Sequence, residues 1–316
     1  MKVVQRLMAA LALLALAPGL AFAQQGSAPS RWETNFQEPA TKVMEYLTWF
    51  GWYTLFIVSL IVVLVIGLLA WCGWKFNERA NPVPSRVTHN TTIEVLWTVL
   101  PVLILVAIAI PSFRLLYAQY DPSKLYADFD PKKDKFMTVK VTGVQWSWNV
   151  DYSNDEDSVA NGVAEPISLS MFMIDPASLT EGQIRNLSVD NPMVVPVNTF
   201  VRVQVTAEGD AIHAFAMPAF GVKVDAVPGR LNGTYFKAER EGTFYGQCSE
   251  LCGKDHAFMP FNVLVVSQDR FREWAKDAPN DLTGAYQKLA QELDSDGQQK
   301  QLAAAEPAAS TEMPRN

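Results

Sequence analysis

The sequence predicts an N-terminal two-helix transmembrane hairpin followed by an all-β sandwich or barrel. Three observations carry that prediction. Apolar residues concentrate in three blocks within the first 120 of 316 residues. Charged residues are only 19% of the chain, and the shortfall lies in those blocks. Beyond about Tyr120 the pattern changes to short runs rich in Val, Phe, Thr and Tyr, separated by Gly, Pro, Asn and Asp. The length and apolar content exclude wholesale disorder and a disulfide-stapled miniprotein. A formal net charge of −7 argues against a nucleic-acid binder.

The first block reads as a signal peptide over residues 1–23. Lys2 and Arg6 form its charged start, Leu7 to Leu16 its apolar centre, and Ala21-Phe22-Ala23 a small-x-small cleavage site, so the mature chain would begin at Gln24. The competing reading, a first membrane helix, suffers from a short apolar run interrupted by Pro18-Gly19.

The hairpin is expected within residues 24–118. Its first helix, about 49–74, carries no charge and has Trp49, Trp52, Tyr53, Trp71 and Trp74 at its two ends, where interfacial aromatics belong. Its second helix, about 93–113, contains Pro101 and Pro111. Proline inside a membrane helix is tolerated where a neighbour satisfies the freed carbonyl, which suggests a helix packed against protein. The intervening loop carries Lys75, Arg79 and Arg86 against Glu78, while residues 24–48 carry Arg31 and Lys42 against Glu33, Glu38 and Glu45. The basic loop therefore belongs in the cytoplasm and both mature termini outside, with Arg114 a local exception.

The β domain is expected over residues 119–277, with strands such as Phe136–Val141, Thr199–Val205, Gly233–Phe236 and Phe261–Val266, then a short helix, Arg270–Lys276. Residues 278–316, rich in Ala, Gln, Pro and acids, read as a flexible solvated tail with a helix candidate from Leu282 to Leu293. Within residues 120–210 there are 14 acidic against 7 basic residues. Asp151, Asp155, Glu156 and Asp157 follow an exposed-looking Gln145-Trp146-Ser147-Trp148. Solubility explains such a face; so does docking of a basic partner, because complementary charge raises association rates.

With only three Cys and three His in the chain, their placement is informative. Residues 246–260 read Gly-Gln-Cys-Ser-Glu-Leu-Cys-Gly-Lys-Asp-His-Ala-Phe-Met-Pro. Cys252, His256 and Met259, with His213 from upstream, form the ligand set of a mononuclear blue-copper site; thiolate and thioether favour copper over zinc. Cys248 adds a second thiolate. Two thiolates can bridge two coppers, each with one histidine and one weak donor: His213, His256, Met259 and the Glu250 carbonyl. A short-loop disulfide between Cys248 and Cys252 competes. Cys72 reads as a small helix residue and His89 as a solvated loop residue, with proton transfer a minor alternative.

With these residues assembled, the chain resembles subunit 2 of cytochrome c oxidase of the bacterial heme-copper type, over about residues 35–275. The resemblance rests on Thr92-Ile93-Glu94-Val95-Leu96-Trp97-Thr98-Val99-Leu100-Pro101, Gln145-Trp146-Ser147-Trp148, Asp210-Ala211-Ile212-His213, Val227-Pro228-Gly229-Arg230-Leu231-Asn232 and the Cys/His/Met loop. Ser147 and Ala211 depart from the family's usual aromatic and Val. The resemblance implies a cupredoxin-like barrel holding a dinuclear copper centre, CuA, that takes electrons from cytochrome c and passes them to heme a of subunit 1, where oxygen is reduced and protons are translocated. It also implies that the Glu250 carbonyl ligates copper while its carboxylate reaches a magnesium ion at the border with subunit 1. Trp146 would be the electron-uptake residue, Asp190 and Asp210 docking acids, and Glu94 a proton-uptake group near the cytoplasmic mouth of a path into subunit 1. Glu94 also suits a plainer role, complementing the dipole of a helix that begins near Thr91 or Thr92.

Other readings separate on residues. A quinol oxidase subunit would lack the thiolates and histidines, and a nitrous oxide reductase would need many more His. A membrane-anchored copper carrier would share the ligands but have no need of Trp146 or Glu94. No Cys-x-x-Cys-His heme attachment motif occurs, so the electron donor is expected to be a separate protein.

Overall fold

The computed structural model describes residues 26–295 apart from 31 and 84. The expected signal peptide and the last part of the expected tail, 296–316, lie outside the described residues. Two long helices, α1 (Lys42–Lys75) and α2 (Thr91–Ala118), form the hairpin, and both are long and apolar enough to cross a membrane. Both outrun the expected 49–74 and 93–113, because polar caps rather than the ends of the uncharged runs set their limits. Thr41 Oγ1 accepts from Met44 N at 3.1 Å to start α1, and Asn90 Oδ1 accepts from Ile93 N at 3.2 Å to start α2. The 34 residues of α1 span about 51 Å, well beyond a hydrocarbon core of about 30 Å, so its first turns stand clear of the lipid.

Pro111 lacks the N–H that would serve the Ala107 carbonyl one turn earlier. Tyr53 of α1 donates its hydroxyl to that carbonyl at 3.2 Å. The expected satisfaction by a neighbouring helix is thus a named cross-hairpin bond. The hairpin's outer end is tied to the β domain. Thr41 Oγ1 also donates to Phe220 O at 2.8 Å, and Tyr235 Oη donates to Ala118 O at 2.7 Å. Val43, Leu115, Tyr126, Phe200 and Tyr235 close a small apolar cluster at this junction.

The outer domain is a sandwich of two sheets, in keeping with the expected all-β sandwich or barrel. One sheet runs β4 (Ile167–Met171), β3 (Ser147–Tyr152), β2 (Phe136–Val144), β6 (Phe200–Ala207), β9 (Asn232–Lys237). The other runs β5 (Met193–Pro196), β11 (Pro260–Val266), β10 (Gly242–Cys248), β7 (His213–Met217), β8 (Val222–Ala226), with the short β1 (Gly26–Ser27) alongside β10. Alternating inward residues such as Val139, Val141, Val203 and Val205 meet Phe215, Phe244 and Phe261 across the core. Trp148 is fully buried among Phe215, Phe261 and His213. This corrects the expectation that Gln145-Trp146-Ser147-Trp148 is exposed throughout: strand alternation turns Trp148 inward.

A one-turn helix, α3 (Glu156–Ala160), packs on β2. Two further helices follow β11: α4 (Gln268–Asp277) and α5 (Leu282–Ser295). In the described part the helix candidate Leu282–Leu293 is present as α5, while the expectation of a flexible solvated tail from 278 is corrected. Ala285, Leu289 and Leu293 recur at four-residue spacing and are buried against the sandwich. Tyr286 Oη donates to Pro192 O at 2.6 Å, and Lys288 bridges Glu273 and Asp277 of α4, each at 3.1 Å. The average composition of residues 278–316 hides this apolar stripe.

Candidate metal centre

β7 and β10 are neighbours, and the candidate ligands hang from their ends. Cys248 closes β10 opposite Phe215, two residues on from His213, which opens β7. Cys248 N donates to Met259 O and Ser249 N to Ala214 O, each at 3.1 Å, so residues 249–259 return as a closed loop into β11. A 3-10 turn, His256–Phe258, carries His256 within that loop.

The two sulfurs are free thiols 3.8 Å apart. Around Cys248 Sγ lie His213 Nδ1 at 3.8 Å and the Glu250 carbonyl at 3.3 Å. Around Cys252 Sγ lie His256 Nδ1 at 3.5 Å and Met259 Sδ at 4.0 Å. Each sulfur therefore has one imidazole nitrogen and one weak donor beside it. This donor set fits a pair of copper ions sharing both sulfurs. His213 is fully buried, and its Nε2 has no hydrogen-bond partner among the described residues. The Trp148 ring braces it edge-on at 6.0 Å, and a Cβ on Gly143 would come within 3.0 Å of it. Burial, and then the charge of His256, lowers the pKa of His213, favouring the neutral imidazole that a metal requires. Burial, and then neighbouring Cys248, pushes the Cys252 thiol up to about 12.

The Glu250 carboxylate pairs with Lys223 Nζ at 3.0 Å; Lys223 also reaches Asp225 at 3.2 Å. One half-exposed carboxylate held by an ammonium does not fit magnesium by itself. The expected ion would need ligands from another chain.

Trp146 is half-buried in the turn between β2 and β3, and its Nε1 donates to the Cys252 carbonyl at 3.1 Å. The Gln145 amide donates to the same carbonyl at 2.8 Å. Lys254 Nζ stands 5.5 Å above the Trp146 ring. Of the expected docking acids, Asp190 and Asp210 lie at the Trp146 end of the sandwich. Asp190 Oδ1 accepts from Phe172 N, just beyond the Trp148–Met171 pair. Asp210 is exposed on the loop after β6, whose end pairs with Gly143. Asp155, Glu156 and Asp157 do not share that end. β3 carries the chain about 20 Å away from Trp146 before they appear. There Asp155 caps α3 through Ser158 N at 2.8 Å, and Asp157 pairs with Lys135 at 2.8 Å. Their sequence proximity to Trp146 is not proximity in space. Glu94, in the first turn of α2, accepts from Asn90 N at 3.2 Å. It stands 24 residues from the helix end at Ala118, about 36 Å from the β domain.

Gln145 and the glycines beside the ligands, Gly143 and Gly253, escape sequence reasoning, because their roles depend on contacts more than 60 residues away.

Residues 29–115 match the family "Cytochrome C oxidase subunit II, transmembrane domain", and residues 137–266 match "Cytochrome C oxidase subunit II, periplasmic domain". The chain is 45% identical over 248 residues to a probable cytochrome c oxidase subunit 2 of Rickettsia prowazekii (strain Madrid E), covering 78% of this chain and 73% of that one. It is 41% identical over 250 residues to cytochrome c oxidase subunit 2 of Zea mays, covering 78% and 89%. The crystal structure of the periplasmic domain of subunit II of cytochrome oxidase of Bradyrhizobium japonicum is similar at 50% identity with a TM-score of 0.40, covering 46% of this chain and 96% of that one.

Proposed function

The chain belongs to the cytochrome c oxidase subunit II family, and from that premise we propose that it is the electron-uptake subunit of its heme-copper oxidase. In this reading it takes electrons from cytochrome c at a CuA centre and passes them to heme a of subunit 1, where oxygen is reduced to water with proton translocation. The observation that carries the reading is the symmetry of the donors: two sulfurs 3.8 Å apart, each with an imidazole and a weak donor alongside. A copper pair held by His213, Cys248, Glu250 O, Cys252, His256 and Met259 would supply a one-electron acceptor with its charge spread over two metals and two sulfurs.

The residues divide the remaining work. β7, β10 and the closed 249–259 loop hold the ligands in place before and after the electron arrives, so little rearrangement accompanies transfer. Trp146 is half-buried and joins the Cys252 peptide through one hydrogen bond. Asp190 and Asp210, flanking that end, attract a basic cytochrome c. The basic loop of residues 75–92 places the hairpin bend in the bacterial cytoplasm, leaving the β domain and both mature termini in the periplasm. Glu94 then stands at the cytoplasmic side, where it gathers protons for subunit 1.

Copper content and electron paramagnetic resonance of the detergent-purified chain test the centre. Two coppers sharing one unpaired electron are expected, and Cys248→Ser should abolish that mixed-valence signal. An unchanged signal in Cys248→Ser refutes the bridging assignment.

A further inference from the structure

Two side chains from the β2–β3 turn converge on one backbone oxygen of the candidate metal loop. Gln145 Nε2 donates to the Cys252 carbonyl at 2.8 Å and Trp146 Nε1 at 3.1 Å. Residue 253 is glycine at φ +121°; a Cβ there would come within 2.9 Å of Trp146 Cζ2 and 3.3 Å of Gln145 Nε2. The loop is thus shaped to admit both donors. Gln145 is itself exposed, contributes nothing to the apolar core, and spends its amide on this one carbonyl.

We propose that Gln145 is a positioning residue that, with Trp146, clamps the Cys252 carbonyl and raises the reduction potential of the copper centre. This rests on the copper reading above. Two N–H dipoles aimed at the carbonyl of a ligating residue place their positive ends beside the centre. They favour the form with one more electron, and they withdraw charge from the ligand's peptide. The same clamp holds the indole at a fixed distance from Cys252, so one contact sets both the driving force and the geometry of electron uptake.

Gln145→Leu fills the same space without a donor. Spectroelectrochemical titration of the copper-loaded, detergent-purified chain should show its equilibrium constant for accepting one electron falling about threefold. At 59 mV per tenfold for one electron that is about 28 mV downward. Trp146→Phe, which keeps a ring but loses the N–H, should shift the potential in the same direction. Copper content and the mixed-valence spectrum are recorded first. A wild-type chain without paired copper fails the copper reading, and this proposal with it. A wild-type spectrum with an unshifted potential in Gln145→Leu overturns the proposal alone, as does a raised KM for cytochrome c with no change in potential. Loss of copper from Gln145→Leu also overturns it, in favour of a purely structural role.

Discussion

Cys252 is held as a thiol wherever the metal is absent: burial, and then Cys248, push it up to about 12. A thiolate ligand must shed that proton, so in the proposed centre copper and protons would compete for the same sulfur. Apparent copper affinity should weaken on acidification, by about tenfold per pH unit for Cys252 alone between about pH 8 and 6, with proton release on loading. Titration with cuprous and cupric copper in weak buffer measures both. Affinity independent of pH would mean that Cys252 does not ligate. At this scale the gathering of the candidate ligands was readable from sequence, because a loop confines Cys248, Cys252, His256 and Met259 within twelve residues and His213 had few rivals. The clamp on Cys252 was not: spacing along a chain says nothing about a bond between residues 107 apart. Nor does it say that Gly143 is there to make room for His213.

Among elements, the two long helices announce themselves by hydropathy, and the dipole argument at Glu94 finds the second one's start near Thr91, but the uncharged runs do not give the remaining ends. Thr41 and Asn90 are ordinary polar residues until their side chains meet Met44 N and Ile93 N. Glu94 sits inside the second of these caps, and its two roles separate by substitution. Glu94→Gln can still accept from Asn90 N, losing only the charge at the helix start, about 0.3–1 kcal/mol. A capping role alone predicts normal oxygen consumption in that variant. The proton-uptake role predicts slowed turnover in both Glu94→Gln and Glu94→Ala with unaltered copper spectra, read by stopped-flow reduction of the assembled oxidase. The C-terminal helix α5 was a candidate in sequence, but its packing against the sandwich was obscured by the composition of its surroundings. Its buried Leu289 is 3% exposed, so Leu289→Ala should cost about 2–3 kcal/mol in denaturant unfolding. Lys288→Ala, which removes only exposed ion pairs, should cost less than about 1 kcal/mol. Equal effects would show that α5 is held by charge rather than by its apolar stripe.

For the whole molecule, the sheet topology decides which acids act together. Asp190→Asn with Asp210→Asn should raise the KM for cytochrome c and flatten its dependence on salt, since attraction between exposed charges is screened over about 8–10 Å at moderate ionic strength. Neutralising Asp155, Glu156 and Asp157 together should do less, despite removing one more charge, because β3 places them at the far end of the sandwich. Steady-state kinetics across a salt series compares the two sets, and a larger effect from the triple variant would overturn the assignment of the docking face. The division into hairpin and β domain was legible because the hydrophobic period changes near residue 120. The joint between them was not, since Thr41 gives no hint in sequence that it reaches Phe220. That joint has a mechanical result. A single hydroxyl terminates a bilayer helix and grips the outer domain, with Tyr235 gripping the second helix beside it. The β domain is therefore mounted on the hairpin rather than tethered to it. The 249–259 loop is thereby held at one height and one tilt relative to the hairpin, so in the proposed role the distance an electron would cross is set by this non-covalent joint instead of being sampled by a swinging arm.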